Sequence, residues 1–447
     1  MDGDTIFALS SGPPPAGVAV IRLSGPGARF GLETLIDSIP EPRNATLRLI
    51  KSEDGQILDQ GLVLFFPAPA SFTGEDVAEL HVHGGRAVIA AVLRVLGRLD
   101  GFRPAEAGEF TRRAFLNRRM DLTQVEGLAD LVAAETEAQR RQALRQVEGG
   151  LRHLYEAWRR RLVRARAMLE AELDFAEEED LPASVASEAW REIAILEAEI
   201  TAHLDDQGRG ERLRDGAEIV ILGAPNAGKS SLLNALARRD IAIVTAEPGT
   251  TRDLIELRLD LDGFPVTLVD TAGLRETTGM VESEGIRRAR ARADAADLIL
   301  FLSDVSQRDT DSEPVLTGGP PGGPPVWRIG SKRDLIDSGE EQSALAGRFD
   351  ALISVRTGEG VPALLDRLAD FARDRLDPGE SPLLTRERHR ATLMACLAAL
   401  AGAKAATEAE LTAEELRRAS DTLSRITGRI DVEDLLDVIF REFCIGK

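Results

Sequence analysis

The chain has 447 residues, 43% of them apolar, and 75 acidic against 55 basic side chains leave it a net charge of −20. That length accommodates two or three domains with real cores, and the mixed, acidic composition argues for a globular protein and against one that grips nucleic acid over a wholly basic surface. Cys396 and Cys444, the two cysteines, exclude a disulfide framework, no basic leader opens the sequence, and the longest apolar run, 391–403, is too short to span a bilayer, so a cytoplasmic location without a membrane partner is expected.

Residues 1–118 read as α+β, with strands near 5–9, 18–23, 46–50, 58–66 and 77–83 and helices near 28–36 and 86–99. In the last strand Ala78, Leu80 and Val82 share an apolar face, which leaves Glu79, His81 and His83 on the other. The two histidines lack a third ligand at zinc spacing and read as polar-face or packing residues. Gly25 and Gly27 follow a strand and open a helix, but Phe30 stands where a dinucleotide fingerprint needs its third glycine. An ordinary turn is expected there.

From residue 122 the period becomes helical. Leu144, Val147, Leu151, Leu154, Trp158, Leu162, Ala165, Leu169 and Leu173 form one stripe at steps of three and four, predicting a long helix interrupted at most by Gly149 and Gly150. A second helix runs through Trp190, Ile193, Leu196, Ile200 and Leu204. Arginines gather at 112–119, 140–145, 159–166 and 286–292, mostly interleaved with Leu, Ala and Glu at helical spacing, which reads as solvated helix faces. Any RNA contact is then local or shared with a partner.

The stretch GAPNAGKSS at 223–231 follows the apolar run 218–222 and leads into a Leu-rich helix: strand, phosphate loop, helix. Gly223 and Gly228 permit the tight turn, the loop through Asn226, Ala227 and Gly228 and the helix start at Ser231 aim N–H groups at phosphate, Lys229 reaches the β- and γ-phosphates, and the Ser230 hydroxyl suits Mg²⁺. The DTAG element places Asp270 near the Mg²⁺ shell, with Thr271 and Ala272 leading to Gly273, whose N–H senses the γ-phosphate. Thr250 and Thr251 lie where GTPases keep a switch threonine. In SKRD, Asp334 can accept N1–H and the 2-amino group of guanine while the Lys332 stem lies along the base; Ser354, Val355 and Arg356 resemble the last guanine loop. Ser331 replaces the usual Asn or Thr and so loses the carboxamide that ties down the phosphate loop, predicting weak affinity with specificity kept by Asp334. The Gly/Pro-rich stretch 310–325 is expected to be a surface loop.

Helical periodicity resumes with Leu416, Ala419, Leu423 and Ile426, then Leu435, Ile439 and Phe443; Thr412 and Glu415 read as a capping box at one helix start, and Asp431 as a cap at the next. The fold class expected is multidomain α/β: an N-terminal α+β domain at 1–118, a discontinuous helical domain at 119–212 and 377–447, and a Ras-like P-loop GTPase domain inserted at 213–376.

The segments DTI, GVAVIRLSG, SFTGEDVAELHVHGG at 71–85, GEFTRRAFLNRRMDLTQVEGLADL at 108–131, the phosphate loop with Asn226 and the C-terminal FCIGK together make the chain resemble the MnmE (TrmE) family of tRNA-modification GTPases over essentially its whole length. The resemblance implies a homodimeric, K⁺-dependent GTPase that joins a flavoprotein partner, MnmG (GidA), in a heterotetramer, with FAD on the partner chain. The pair would add an aminomethyl or carboxymethylaminomethyl group at C5 of the wobble uridine of certain tRNAs. A 5,10-methylene- or 5-formyl-tetrahydrofolate on the N-terminal domain, which also dimerises, would supply the carbon. By similarity Arg22, Glu79, Arg119 and Lys447 line the folate site. A carboxylate at Glu79 could accept the pterin N3–H and 2-amino group, and the cations would face the folate carboxylates. Arg119 stands where the family leads one to expect lysine.

Cys444 superficially opens a C-a-a-X box, but Lys447 at its end argues against prenylation; a role for the tail in the folate site, or for Cys444 as a nucleophile, is the alternative. Leu274 after DTAG cannot orient water, and the resemblance assigns that task to Glu282, with charge stabilisation from K⁺ held by Asn226, Thr245, Glu247 and Thr250 and with Mg²⁺ on Ser230 and Thr251. Arg252 or Arg275 as an arginine finger is the competing reading, and a regulatory GTPase switch in ribosome assembly is the competing function.

Overall fold

The computed structural model describes residues 3–174, 184–206, 208–239, 241–243, 255–270, 291–307, 323–336, 345, 347–377, 379, 383–430, 436, 439–441 and 443–446. The chain divides into two compact units: Met1–Ala129, Gln146–Leu196 and Met394–Lys447 in one, Asp130–Arg145 and Glu197–Leu393 in the other.

The first unit opens with β1 (Thr5–Leu9), β2 (Ala16–Ser24), β3 (Thr46–Lys51), β4 (Ile57–Phe66), β5 (Val77–Gly84) and β6 (Phe102–Pro104), joined in the order β3-β4-β5-β2-β1-β6. All neighbours are antiparallel except β6, which runs parallel to β1. Helices α1 (Ala28–Leu35) and α2 (Arg86–Leu96) close one face over Ile21, Leu23, Leu80, Leu32, Val92 and Leu96. Strand alternation therefore turns Arg22, Glu79 and His81 to the other face. There α3 (Glu109–Leu116) lays Phe110 on Ile6, Ala8 and Ala105. The helical spacing of 109–116 was masked in the sequence by four polar residues in eight, because this short helix buries charge as well as carbon.

The stripe is interrupted at the glycines where a break was allowed for, and after α4 (Leu122–Ala133) it forms two helices, α5 (Glu137–Val147) and α6 (Gly150–Asp174). Gly149 between them has φ +95°, which breaks the helical hydrogen-bond ladder and the phase of the stripe. Leu151, Trp158, Leu162, Ala165 and Leu169 are buried along α6, whereas Leu144 on α5 is 36% exposed. Several arginines of this region have acidic partners close in sequence, as in Arg140 and Arg141 with Glu137. Next comes α7 (Ser184–Leu204), burying Ile193, Leu196 and Ile200.

After α8 (Arg209–Asp215), the second unit is built on β7 (Ala217–Gly223), β8 (Ile255–Leu261), β9 (Phe264–Asp270), β10 (Leu298–Asp304), β11 (Val326–Ser331) and β12 (Ala351–Leu352). Their order is β12-β11-β10-β7-β9-β8, parallel throughout except for the β8–β9 hairpin. Burial on both faces explains the continuous apolar runs of β7 and β10; α9 (Lys229–Ala237) and α10 (Val361–Leu376) cover Ile219, Ile221, Leu268, Leu300 and Ile329 with Leu232, Leu236, Leu364 and Leu368. The carboxyl ends of β7, β9, β10 and β11 carry Gly223, Asp270, Asp304 and Ser331, and this is the rim where parallel sheets bind ligands. Residues 130–145 also belong to this unit: Ala138 N–H donates to Gly263 O (2.9 Å) in the hairpin turn, and Arg258 pairs with Glu135 (3.2 Å).

Of the last helices, α11 (Glu387–Ala405) precedes α12 (Ala409–Ile426), which buries Leu416, Ala419, Leu423 and Ile426 and packs against α6. The capping box is not there. The helix already starts at Ala409, and Thr412 lies inside it, its hydroxyl donating to Glu408 O (3.2 Å). Ala409, Glu410 and Leu411 are strong helix formers, so the helix propagates through the candidate cap. Leu435 and Asp431 lie outside the described residues.

Candidate functional site

The phosphate loop leaves β7 at Gly223, whose φ of +150° and whose Cβ position, 2.3 Å from Leu302 O, admit glycine alone. Gly228 caps α9, and Lys229 in its first turn is buried, its Nζ donating to the carbonyls of Gly223 and Ala224 (both 2.9 Å). Ser230 Oγ donates to Asp270 Oδ2 (3.0 Å), so the end of β9 and the loop after β7 meet through two oxygen groups of the kind Mg²⁺ takes. Asn226, with φ +64°, and Ser231 are exposed.

Ser331 corrects the sequence reading. Its hydroxyl donates to Ala227 O (2.6 Å), with Ser303 O at 3.1 Å, so the guanine segment is tied to the phosphate loop despite the missing carboxamide. Serine manages this because β11 brings it close enough for the short side chain to span the gap. Beside it, Lys332 pairs with Asp304 (2.6 Å). Asp334 Oδ1 accepts from Ser354 Oγ (2.6 Å) and its Oδ2 from Arg356 Nε (2.7 Å). The Ser354 hydroxyl first, and then Arg356, hold this carboxyl below its usual range. Ser354 is buried and accepts from Thr357 N–H (3.2 Å); Val355 between them is half-buried.

The remaining GTP and metal residues of the sequence reading, Thr245, Glu247, Thr250, Thr251, Thr271, Ala272, Gly273 and Glu282, lie outside the described residues, as do Arg252, Leu274, Arg275 and Lys447.

On the N-terminal sheet Arg22 and Glu79 are register partners across β2 and β5. Arg22 Nε and Nη2 donate to Glu79 Oε1 (3.0 and 2.9 Å), and His81 Nε2 lies 3.1 Å from Oε2. The His81 hydrogen bond, followed by the Arg22 charge, outweighs burial and lowers the Glu79 pKa. The Arg22 guanidinium also stacks on Phe72 and Phe110, 5.4 and 5.7 Å from their centroids. Each carboxylate oxygen accepts about two hydrogen bonds. Glu79 Oε2 therefore keeps room for one further donor, and the paired donors of a pterin fit if Arg22 yields one of its two places on Oε1.

Arg119 is exposed and stands beside Gly74, in the loop that carries Phe72; a Cβ on Gly74 would lie 3.2 Å from Arg119 Cγ. The tail also reaches this sheet: Ile445 bridges Ala107 in antiparallel fashion, and a Cβ on Gly446 (φ +98°) would fall 2.3 Å from Leu9 O. Cys444 is exposed. A cavity of about 750 Å³ lined by Phe7, Leu9, Pro13, Leu93, Arg94 and Ile445 contains none of Arg22, Glu79 and Arg119.

Sequence reasoning missed a charge network. Arg113, whose side chain is 9% exposed, pairs with Asp4 (2.7 Å), Glu75 (3.1 Å) and Glu109 (3.2 Å), while Arg103 reaches both Asp4 and Glu109 at 2.5 Å. It pins α3 and the 71–75 loop to the first strand. The signal available was the Glu109–Arg113 spacing of four. Among the described residues no group of His, Cys, Asp and Glu could hold a metal, which leaves His81 and His83 paired with Glu79 and Asp59.

A phosphate loop after β7, an aspartate at the end of β9 and guanine-type side chains after β11 and β12, set on this sheet order, define a P-loop GTPase joined to an N-terminal α+β sheet and helices. Profiles of the GTP-binding protein TrmE N-terminus and of the MnmE helical domain match residues 5–119 and 122–444. Relatives named tRNA modification GTPase MnmE are 56% identical in Mesorhizobium japonicum, over 100% of both chains, and 53% identical in Brucella anthropi, over 99% of this chain and 98% of that one. A crystal structure of Era in complex with MgGDPNP and ribosomal RNA is 23% identical over 41% of this chain and 66% of that one, with a TM-score of 0.29, too low to carry an argument. The chain belongs to the MnmE family, and it is a GTPase.

Proposed function

We propose that this chain hydrolyses GTP in order to modify the wobble uridine of tRNA in the cytoplasm, as a homodimer that joins a flavoprotein partner of the MnmG (GidA) kind. The observation that carries the reading is the Arg22–Glu79 pair on the open face of the N-terminal sheet: a carboxylate with spare acceptor capacity, held by a stacked guanidinium, suits the amidine-like edge of a reduced folate. Full-length identity to the relatives, whose name states tRNA modification, supports the substrate class. Arg22, Glu79, Arg119 and Lys447 would hold the folate, which supplies a one-carbon unit when bound; FAD belongs to the partner chain. The division into 1–118, 119–212 with 377–447, and 213–376 is part of the same reading.

On the GTPase side, Ser230 and Thr251 would hold Mg²⁺, while Asn226, Thr245, Glu247 and Thr250 would hold K⁺. Glu282 would orient the attacking water, because Leu274 has no polar atom to do so. Cys444 remains in the reading as a candidate nucleophile in the tail.

The test is mass spectrometry of tRNA nucleosides from cells lacking this chain. Loss of the C5-modified wobble uridine is expected, restored by the wild-type chain and not by Glu79→Ala, although the latter keeps GTP hydrolysis. Unchanged nucleosides would leave the ribosome-assembly switch as the better reading. Full turnover in Na⁺ alone would remove K⁺ and return the arginine finger to the mechanism.

A further inference from the structure

The two oxygens of Asp334 are held by groups of different kinds. Oδ1 accepts from Ser354 Oγ, and Ser354 is buried and itself receives Thr357 N–H, so this bond belongs to the fixed frame of the site. Oδ2 accepts from Arg356 Nε, and the Arg356 side chain is 74% exposed. Guanine presents N1–H and the 2-amino group as two parallel donors and needs both oxygens from the open side. Ser354 can keep its bond while the base binds, since each oxygen accepts about two. The guanidinium cannot, because it occupies the open side of Oδ2 with a bulky planar group.

We propose that Arg356 sets the rate of nucleotide entry by competing with the guanine base for Asp334. This rests on Asp334 as the guanine acceptor and adds a step to it: the base enters only in the fraction of molecules whose Arg356 has swung into water. Apparent affinity is reduced by that fraction, as for any binding-competent minor state. The contact is exposed and opens readily, so the effect is kinetic tuning, not a block. Nothing in the phosphate loop is asked to move.

Stopped-flow fluorescence with methylanthraniloyl-GDP tests this on the full chain. Arg356→Ala should raise the association rate constant roughly two- to five-fold, the scale of an exposed ion pair, without speeding dissociation. The rise is expected even though removing a cation weakens attraction for an anionic ligand. Equal or slower association, or faster dissociation, overturns the proposal and makes Arg356 a neutral or base-holding group. In parallel, Asp334→Asn should bind methylanthraniloyl-XDP in preference to the GDP analogue. Failure of that shift removes the guanine reading and the proposal with it; a normal shift with a failed Arg356→Ala result removes the competition alone.

Discussion

At the scale of single residues, a hydroxyl replaces a carboxamide and the tether survives. Ser331→Ala should therefore weaken GTP binding by about 1–3 kcal/mol, since it leaves the Ala227 carbonyl unpaired in a buried place; equilibrium titration with a fluorescent nucleotide checks this, and unchanged affinity would show that the tether is idle. Glu79 has a second measurable signature. Its native pKa lies below the ordinary 4.5, so the stabilisation it contributes is complete above that value and is lost as pH falls through the native one. The gap in melting temperature between wild type and Glu79→Gln should accordingly close below about pH 4.5, whereas a pH-independent gap would show that shape alone is at stake. The nucleotide motif was legible because its residues are contiguous and their chemistry is spelled by spacing. Arg113 was not: Asp4, Glu75 and Glu109 each look like surface acids until the sheet gathers them, and no window of sequence contains that meeting.

Among the elements, strands of the N-terminal sheet and of the GTPase sheet were readable from alternation and from apolar runs, because burial of one face or two leaves a direct mark. Helix ends were less so. The capping pattern at Thr412 is genuine as a pattern but loses to the three helix formers before it. Thr412→Ala should consequently cost under about 0.5 kcal/mol in chemical denaturation, where an N-cap would cost about 1 kcal/mol; the larger value would restore the cap. The tail offers the opposite case, a position where one added atom matters. Gly446→Val puts a side chain where Leu9 O already stands. Calorimetry should show reduced-folate binding lost while GTP turnover is retained, and intact folate binding would detach the tail from that site.

For the molecule as a whole, the units do not follow the order of the sequence. The unit that holds the GTPase sheet draws nearly all of its residues from the single stretch Glu197–Leu393, whereas the other is assembled from Met1–Ala129, Gln146–Leu196 and Met394–Lys447. The inserted arrangement was legible as helical periodicity before and after the GTPase motifs, but the placement of residues 130–145 with the GTPase sheet was not, since it depends on the hairpin turn at Gly263 that receives Ala138. Vectorial synthesis turns this layout into a schedule. A nascent chain exposes Leu393 from the ribosome while α12 is still inside the exit tunnel, so the nucleotide-binding unit closes while α6 still lacks its partner and shows Trp158, Leu162 and Leu169 to solvent or chaperones. Pulse proteolysis of ribosome-bound chains halted with Leu393 outside the exit tunnel and α12 still within it should find the GTPase unit protected and α6 cut. The interval between those two events is when the protein is most exposed to aggregation.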